Sequence, residues 1–329
     1  MPLAATKIPS PADIAAAAAR IDGRVRRTPV LRVEAGALGL PCTRAFRNDR
    51  EGTPVVTLKL EHTQVTGSFK VRGAFNNLLD RDVPDAGVVA ASGGNHGAAV
   101  AHAATSLGHR SRIFVPECIA KEEKLRRMRD FGGEVVLTDG TVADCMARYA
   151  DAAEQSGALA VHPYDTAWTL AGQGTVAREF EEQMGGMDTI LVATGGGGLI
   201  AGIAAWYGDR VNVVSVETEG TDTLARSFRE GPDLDVHARG VAAGSLGGPR
   251  LGVHAWEVIR ERVKTALVLP DADVYTAARK LWEATRLVAE PGAAVALGAL
   301  TSGAYVPEED ERVGVLLCGG NADVDWFVR

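Results

Sequence analysis

Lys70 stands in the run Thr66-Gly67-Ser68-Phe69-Lys70-Val71-Arg72-Gly73-Ala74, a lone lysine among small and apolar neighbours, between an apolar strand and a helical segment. Desolvation disfavours the ammonium form, so a lysine in such a setting can be kept as a neutral, reactive amine. A neutral amine forms Schiff bases with carbonyl compounds and can accept a proton. The competing reading is a lysine at a helix start with its head in water, because lysine is seldom buried without a partner.

Three glycine-rich loops offer further chemistry. Ser92-Gly93-Gly94-Asn95-His96-Gly97 follows an apolar run at 88–91 and precedes a helical segment expected from Ala98. Adjacent glycines let main-chain N–H groups approach a ligand, a helix N-terminus favours an anion there, and Asn95 can donate to a phenolic or carboxylate oxygen. A plain strand-to-helix turn would use the same residue types. Gly195-Gly196-Gly197-Gly198-Leu199 lies between an apolar run at 189–193 and helical spacing at 200–206. Four consecutive glycines are costly for a simple connection but suit a phosphate cradle at a helix start. Dinucleotide binding is the alternative: Glu217 lies about twenty positions on, yet a tight Gly-x-Gly-x-x-Gly in a first βα unit is missing. Cys318-Gly319-Gly320-Asn321 follows a run at 313–317. Its thiol is either inert and buried or a weak donor to a ring nitrogen.

The elements that must position these residues alternate. Ser10 can cap a helix beginning at Pro11, with Asp13 in its first turn, and a strand at 55–60 precedes helical spacing over 69–79. Short apolar runs at 88–91, 112–115, 134–137, 159–161, 189–193, 211–216, 266–269 and 313–317 are then separated by alanine-rich or amphipathic helical segments. This pattern predicts parallel sheets covered by helices, with ligands outside the carboxyl ends of the strands. Residues 230–249, rich in glycine, read as a loop-rich insertion.

Composition bounds the rest. With 329 residues, 46% hydrophobic and 23% charged, the chain holds two ordinary domains or one large layered body and is not disordered. A net charge of −7 gives no footprint for nucleic acid, and the basic run at 121–129 is interleaved with Glu122 and Glu123. Cys42, Cys118, Cys145 and Cys318 lack the spacing of a zinc site, and no disulfide framework is expected. The N-terminus does not read as a signal peptide. The uncharged stretch 189–208 reads as strand, glycine turn and buried helix rather than a membrane span, since glycine costs roughly 1 kcal/mol inside a helix. A soluble, cytoplasmic protein is expected.

Arg27-Thr28-Pro29, Lys59-Leu60-Glu61, the run at 66–74, Asn95-His96 and His162-Pro163-Tyr164-Asp165 occur in an order that is itself specific. So do Ala171-Gly172-Gln173-Gly174-Thr175, the four glycines, Glu290-Pro291 and 318–321. Through these motifs the chain resembles, almost end to end, the α/β fold-type II pyridoxal-phosphate enzymes of the tryptophan-synthase-β-like group. Within that group it is similar to threonine/serine dehydratases and serine racemase. The resemblance implies a discontinuous large domain (1–84 and 163–329), a small domain (85–162), and a homodimer acting on a small amino acid. It implies dehydrative deamination of L-threonine or L-serine to a 2-oxo acid and ammonia, with racemisation or another β-hydroxy amino acid lyase activity as the alternative. Lys70 would hold pyridoxal 5′-phosphate as a Schiff base and, once freed, take the α proton, which asks for a pKa of roughly 7–8. Phe69 would pack beside the ring, Asn95 would bond its 3′ oxygen, and Gly240 would lie near it. Cys318 would face the ring nitrogen as an uncharged partner, which makes a weaker electron sink suited to β-elimination. Gly195, Gly196, Gly197, Gly198 and Leu199 would bind the phosphate, which would protonate the departing β-hydroxyl. Ser68, Ser92, Gly93, Gly94, Asn95 and His96 would hold the substrate carboxylate, and Glu290 would stand near its amino or hydroxyl side. Gly93 replaces the serine that racemases of this group use as an acid, which favours dehydration. Relatives bind a divalent cation through a residue matching Glu217 and a carboxylate six positions later. That second position is Thr223 here, with Asp222 one residue off. No isoleucine-regulated C-terminal domain is expected.

Overall fold

The computed structural model describes residues 7–40, 54–323 and 326; Cys42, the first six residues and the last three lie outside them. Local chemistry starts the fold as the sequence suggests. Helix α1 (Pro11–Arg20) is capped by Ser10, whose hydroxyl accepts the Asp13 N–H while the Asp13 carboxylate accepts the Ser10 N–H. Such a reciprocal cap is worth about 1 kcal/mol.

The order continues β1 (Val30–Glu34), β2 (Val55–Lys59), α2 (Lys70–Leu79), β3 (Val88–Ala91), α3 (Asn95–Ser106), β4 (Ser111–Pro116), α4 (Glu122–Asp130), β5 (Glu134–Thr138), α5 (Val142–Ser156) and β6 (Leu159–Ala160). It ends α6 (Ala167–Met184), β7 (Thr189–Ala193), α7 (Gly198–Tyr207), β8 (Asn212–Thr218), α8 (Thr223–Glu230), α9 (Ala243–Leu246), α10 (Val253–Arg262), β9 (Thr265–Leu269), α11 (Asp271–Thr285), α12 (Pro291–Thr301) and β10 (Val313–Leu316). The alternation therefore is an α/β fold with parallel-rich sheets.

Two sheets result. The strands between residues 88 and 160 form a parallel sheet in the order β5-β4-β3-β6, and the others form a second in the order β1-β2-β10-β7-β8-β9. Only β1 runs antiparallel, pairing Val30 with Lys59 through to Glu34 with Val55. The sequence reading missed β1 because it is a sheet edge with charged Arg32 and Glu34 exposed, so it lacks the apolar run that marks a central strand. In contrast, all five residues of β7 are buried between neighbours. Helix α12 packs along β7, β8 and β10, while α6 and α10 pack on α7. Helix α2 lies between α6 and α3, and its Val71, Ala74, Phe75 and Leu78 join the core of the four-stranded layer. The stretch 189–208 is indeed strand, turn and helix, and no helix among the described residues is long and apolar enough to cross a membrane.

One boundary differs with consequence. Helix α3 begins at Asn95 rather than Ala98, with Gly94 as its cap residue. Asn, His and Gly are weak helix formers, so propensity alone places the start too late. The parallel strands β3, β7 and β10 then end at 91, 193 and 316, each leading into one of the three glycine-rich loops.

Candidate active site

Lys70 opens α2, and the loop before it is tied to the loop after β10. Phe69 N–H donates to the Cys318 carbonyl at 3.1 Å, Ser68 and Gly319 form an antiparallel bridge, and Gly320 N–H donates to the Gly67 carbonyl at 2.9 Å. The half-buried Lys70 ammonium nitrogen donates to the Pro163 carbonyl at 2.7 Å and lies 5.2 Å from the centre of the Phe69 ring. Burial lowers its pKa to about 8, against the opposing pull of Cys318 and Glu290. Burial pushes the Cys318 thiol well up, with Glu290 adding to it, so the thiol is neutral. Its sulfur donates weakly to the Gly292 carbonyl at 3.8 Å.

A second group converges from three elements. Glu290, at the start of α12, is 5% exposed. Its two oxygens accept from Asn95 Nδ2 at 2.8 and 3.0 Å. Asn321 Nδ2 donates to Asn95 Oδ1 at 2.8 Å and to the Thr66 carbonyl at 2.8 Å. That bond sets which way the Asn95 amide points, since an oxygen engaged on one side leaves the NH2 group facing the site. A Cβ on Gly319 would stand 2.1 Å from Glu290 Oε1, so a larger residue there would displace that carboxylate. Burial raises the Glu290 carboxyl, while the Asn95 bond and the charges of Lys124, Arg127 and Lys70 pull it back.

The four-glycine loop closes the site from the six-stranded sheet. Gly197 holds φ +87°, a left-handed conformation costly for other residues, and caps α7. The loop is braced by Gly252 N–H donating to the Gly196 carbonyl at 3.1 Å. Asp165 in turn accepts the Val253 and His254 N–H groups at the start of α10, at 2.9 and 2.8 Å. The segment His162-Pro163-Tyr164-Asp165 thus connects the lysine, the glycine loop and α10. The first-turn amides of α7 and α3 have no partner within their helices and offer two anion sites. Ser68 Oγ, in a side chain wholly buried, has no hydrogen-bond partner among the described residues. An orphaned hydroxyl, unpartnered helix-start amides and an amine near neutrality fit a bound phosphorylated aldehyde.

Beside Lys70 lies a buried charge network that the sequence reading did not identify. Arg72 bonds Glu61 through Nε and Nη2 at 2.9 and 2.7 Å and reaches Glu179 at 2.9 Å. Lys59 donates to Glu179 and to the Thr28 carbonyl. Burial would raise Glu61, but Arg72 beside it holds the carboxyl below the usual carboxylate range. Two cations against two carboxylates lock α2 to β2 and α6, and so fix the helix that carries the lysine. The available signal was charged residues inside elements otherwise apolar.

Other expected residues sit less directly. The His96 imidazole bonds the Val161 carbonyl at 3.0 Å, and burial lowers it to about 3, so it is neutral and its side chain is engaged away from a substrate. Ser92 Oγ accepts the Gly94 N–H at 3.1 Å, turned into its own loop. A Cβ on Gly93 would stand 2.8 Å from Ile119. Gly240, at φ +79°, packs on Asp271 beside a pocket of about 300 Å³ lined by Glu219, Gly220, Arg239, Gly240 and Asp271, none of them a Lys70 contact. Both oxygens of Glu217 accept α8 amides, from Leu224 and Ala225 at 2.8 Å. No three His, Cys, Asp or Glu residues converge as metal ligands among the described residues.

A family described as pyridoxal-phosphate dependent enzyme matches residues 21–319. The chain is 34% identical over 333 residues to a phenylserine dehydratase from Ralstonia pickettii, covering 98% of this chain and 97% of that protein. It is 34% identical over 310 residues to an L-threonine ammonia-lyase from Geobacter sulfurreducens, covering 93% of this chain and 74% of that protein. The structure of maize serine racemase superposes with a TM-score of 0.87 at 30% identity, covering 97% of this chain and 95% of that one.

Proposed function

The chain belongs to the pyridoxal-phosphate dependent enzyme family, and on that premise we propose that it is an ammonia-lyase for β-hydroxy amino acids of the L-threonine/L-serine type, releasing a 2-oxo acid and ammonia. The observation that carries this reading is the pairing, in one site, of an amine lowered to about 8 with an uncharged buried thiol, Lys70 and Cys318.

When bound, the cofactor supplies an electron sink for the α carbon of the substrate. Lys70 would hold the cofactor and, once released from it, take the α proton; in this structure its nitrogen donates to the Pro163 carbonyl. The N–H groups of Gly195, Gly196, Gly197, Gly198 and Leu199 would bind the phosphate. Asn95 Nδ2 would bond the ring oxygen and Phe69 would pack beside the ring, whereas Gly240, seated against Asp271, supports no such contact. Cys318 would face the ring nitrogen as a neutral group, which would make the bound cofactor a weaker electron sink, suited to loss of a β-substituent. Ser68 Oγ and the main chain of residues 92–96 hold the α-carboxylate. Glu290 stands on the amino or hydroxyl side of the substrate. Gly93 has no hydroxyl to return a proton on the opposite face, which favours elimination over racemisation. The sheet built from residues 88–160 supports a small domain at 85–162. Association as a homodimer in the cytoplasm belongs to the same proposal and rests on the family resemblance.

The test is release of 2-oxo acid from L- and D-serine, L-threonine, 3-hydroxyaspartate and phenylserine by the cofactor-loaded protein. Lys70→Ala is expected to lose both the visible absorbance of the lysine-bound cofactor and turnover. Substantial turnover without that amine, or D-serine exceeding pyruvate from L-serine, would overturn the reading.

A further inference from the structure

Helix α4 carries two cations that the reaction described above does not use. Lys124 and Arg127 lie three residues apart and so share one helix face. Both are half-buried, and neither side chain makes a hydrogen bond or ion pair with a described residue. Arg129, on the same helix, instead pairs with Glu122 at 2.8 Å.

The face they share points at the site. Lys124 Nζ lies 3.6 Å from where a Cβ on Gly244 would stand, so its head reaches α9. The next residues of α9 border the site itself. Ser245 Oγ accepts the Gly292 N–H at 3.0 Å, two residues past Glu290. The Leu246 carbonyl lies 2.9 Å from where a Cβ on Gly195 would be. The ammonium therefore stands against Gly244 of α9, the helix whose next residues touch both the start of α12 and the phosphate loop, and it is close enough to Glu290 for their charges to interact.

Charge balance leaves this pair short of an anion. Burial lowers the Lys124 ammonium, and Lys121 and Arg127 push the same way, with Glu290 and Glu123 opposing. Glu290 is already bonded to Asn95 and is pushed toward its neutral form by burial. Two like charges on one helix face repel, and half-burial shields them from solvent. The α-carboxylate has its own donors in Ser68 Oγ and the first turn of α3.

We propose that Lys124 and Arg127 form a subsite for a second carboxylate on the substrate, so that the preferred β-hydroxy amino acid is a dicarboxylate of the 3-hydroxyaspartate type. This rests on the ammonia-lyase reading and narrows its substrate class. Arginine presents a planar fork that matches a carboxylate, and lysine adds a compact charge. The reaction balances: the α proton and β-hydroxyl leave as water, and one water returns on hydrolysis to give the 2-oxo dicarboxylic acid and ammonia.

The experiment uses cofactor-loaded protein and two probes that lack a β-hydroxyl and so cannot eliminate water: L-aspartate, with two carboxylates, and L-alanine, with one. Their dissociation constants are read from the change in cofactor absorbance, alongside kcat/KM for 3-hydroxyaspartate and L-threonine. The wild type is expected to bind aspartate more tightly than alanine. Arg127→Ala and Lys124→Ala are each expected to reduce the aspartate-to-alanine affinity ratio, and the hydroxyaspartate-to-threonine kcat/KM ratio, by about 10- to 100-fold, the equivalent of one charge-assisted hydrogen bond. Arg127→Lys should recover part of both. Loss of affinity for both probes alike would mean that the cations hold the α-carboxylate, and unchanged ratios would mean that they only offset Glu290; either overturns the subsite. If threonine is deaminated but aspartate is not favoured, the subsite alone falls. If no β-hydroxy amino acid yields a 2-oxo acid while the aspartate ratio still drops in Arg127→Ala, the reaction reading falls and the subsite stands.

Discussion

Lys70 shows how far a single residue can be read. Its apolar neighbours in the sequence already point to a desolvated amine, and burial beside Phe69 and Pro163 lowers its pKa to about 8. A base acts in its unprotonated form, which grows as pH rises through that value. The kcat for L-threonine is therefore expected to rise by about tenfold per pH unit below 8 and to level off above it. A profile flat from pH 6 to 9 would place the base elsewhere. Asn95 was legible as a donor, but the direction of its amide was not, because that depends on Asn321, which comes from the opposite end of the chain. Removing this bond in Asn321→Ala frees the amide to rotate. Cofactor affinity is expected to fall about fivefold, the effect of roughly 1 kcal/mol for one hydrogen bond, with a shifted absorbance maximum. Unchanged affinity and spectrum would show that Asn95 is oriented without it.

At the scale of elements, strand-to-helix alternation was readable because buried strands need continuous apolar runs, whereas the edge strand β1 does not. Helix starts were less so: α3 begins at residues with poor propensity because the preceding glycines and the Asn95 contacts to Glu290 and Asn321 hold the turn. Glu217 shows what an element can do with a candidate side chain. It is wholly buried and accepts amides from the first turn of α8. Burial raises its pKa to about 8, with Asp222 adding to it and the two amides opposing. Between its ordinary value of 4.5 and about 8 the folded chain keeps a proton that the unfolded chain has released. Stability due to this group is thus fully present below about pH 4.5 and is lost as pH rises toward 8. Glu217→Gln cannot titrate, so the fall in urea midpoint between pH 5 and 8 should be smaller in the variant. An identical slope in both proteins would show that Glu217 is ionised throughout.

Across the whole molecule, the site draws on residues 68–70, 92–95, 163–165, 195–198 and 318–321, which follow strands of both sheets, and on 290–292 at the start of α12. A ligand that binds such a composite site binds the folded chain and not the unfolded one. Saturating pyridoxal phosphate at about 100 times its dissociation constant should then add about 2.7 kcal/mol and raise Tm by several degrees, with a smaller gain in Lys70→Ala. Equal Tm with and without the cofactor would show that these segments do not form one binding site. The sequence by itself determined the alternating α/β plan, the lysine, the glycine loops and the family. These depend on local spacing and residue type, and a strand end followed by glycines says the same thing wherever the chain later goes. Tertiary structure alone decided how charges pair. Arg72 against Glu61 and Glu179, Glu217 against α8, and Lys124 with Arg127 turned toward Glu290 depend on which helices meet. Electrostatic energy is set by distance and burial in space, and neither can be read from separation along the chain.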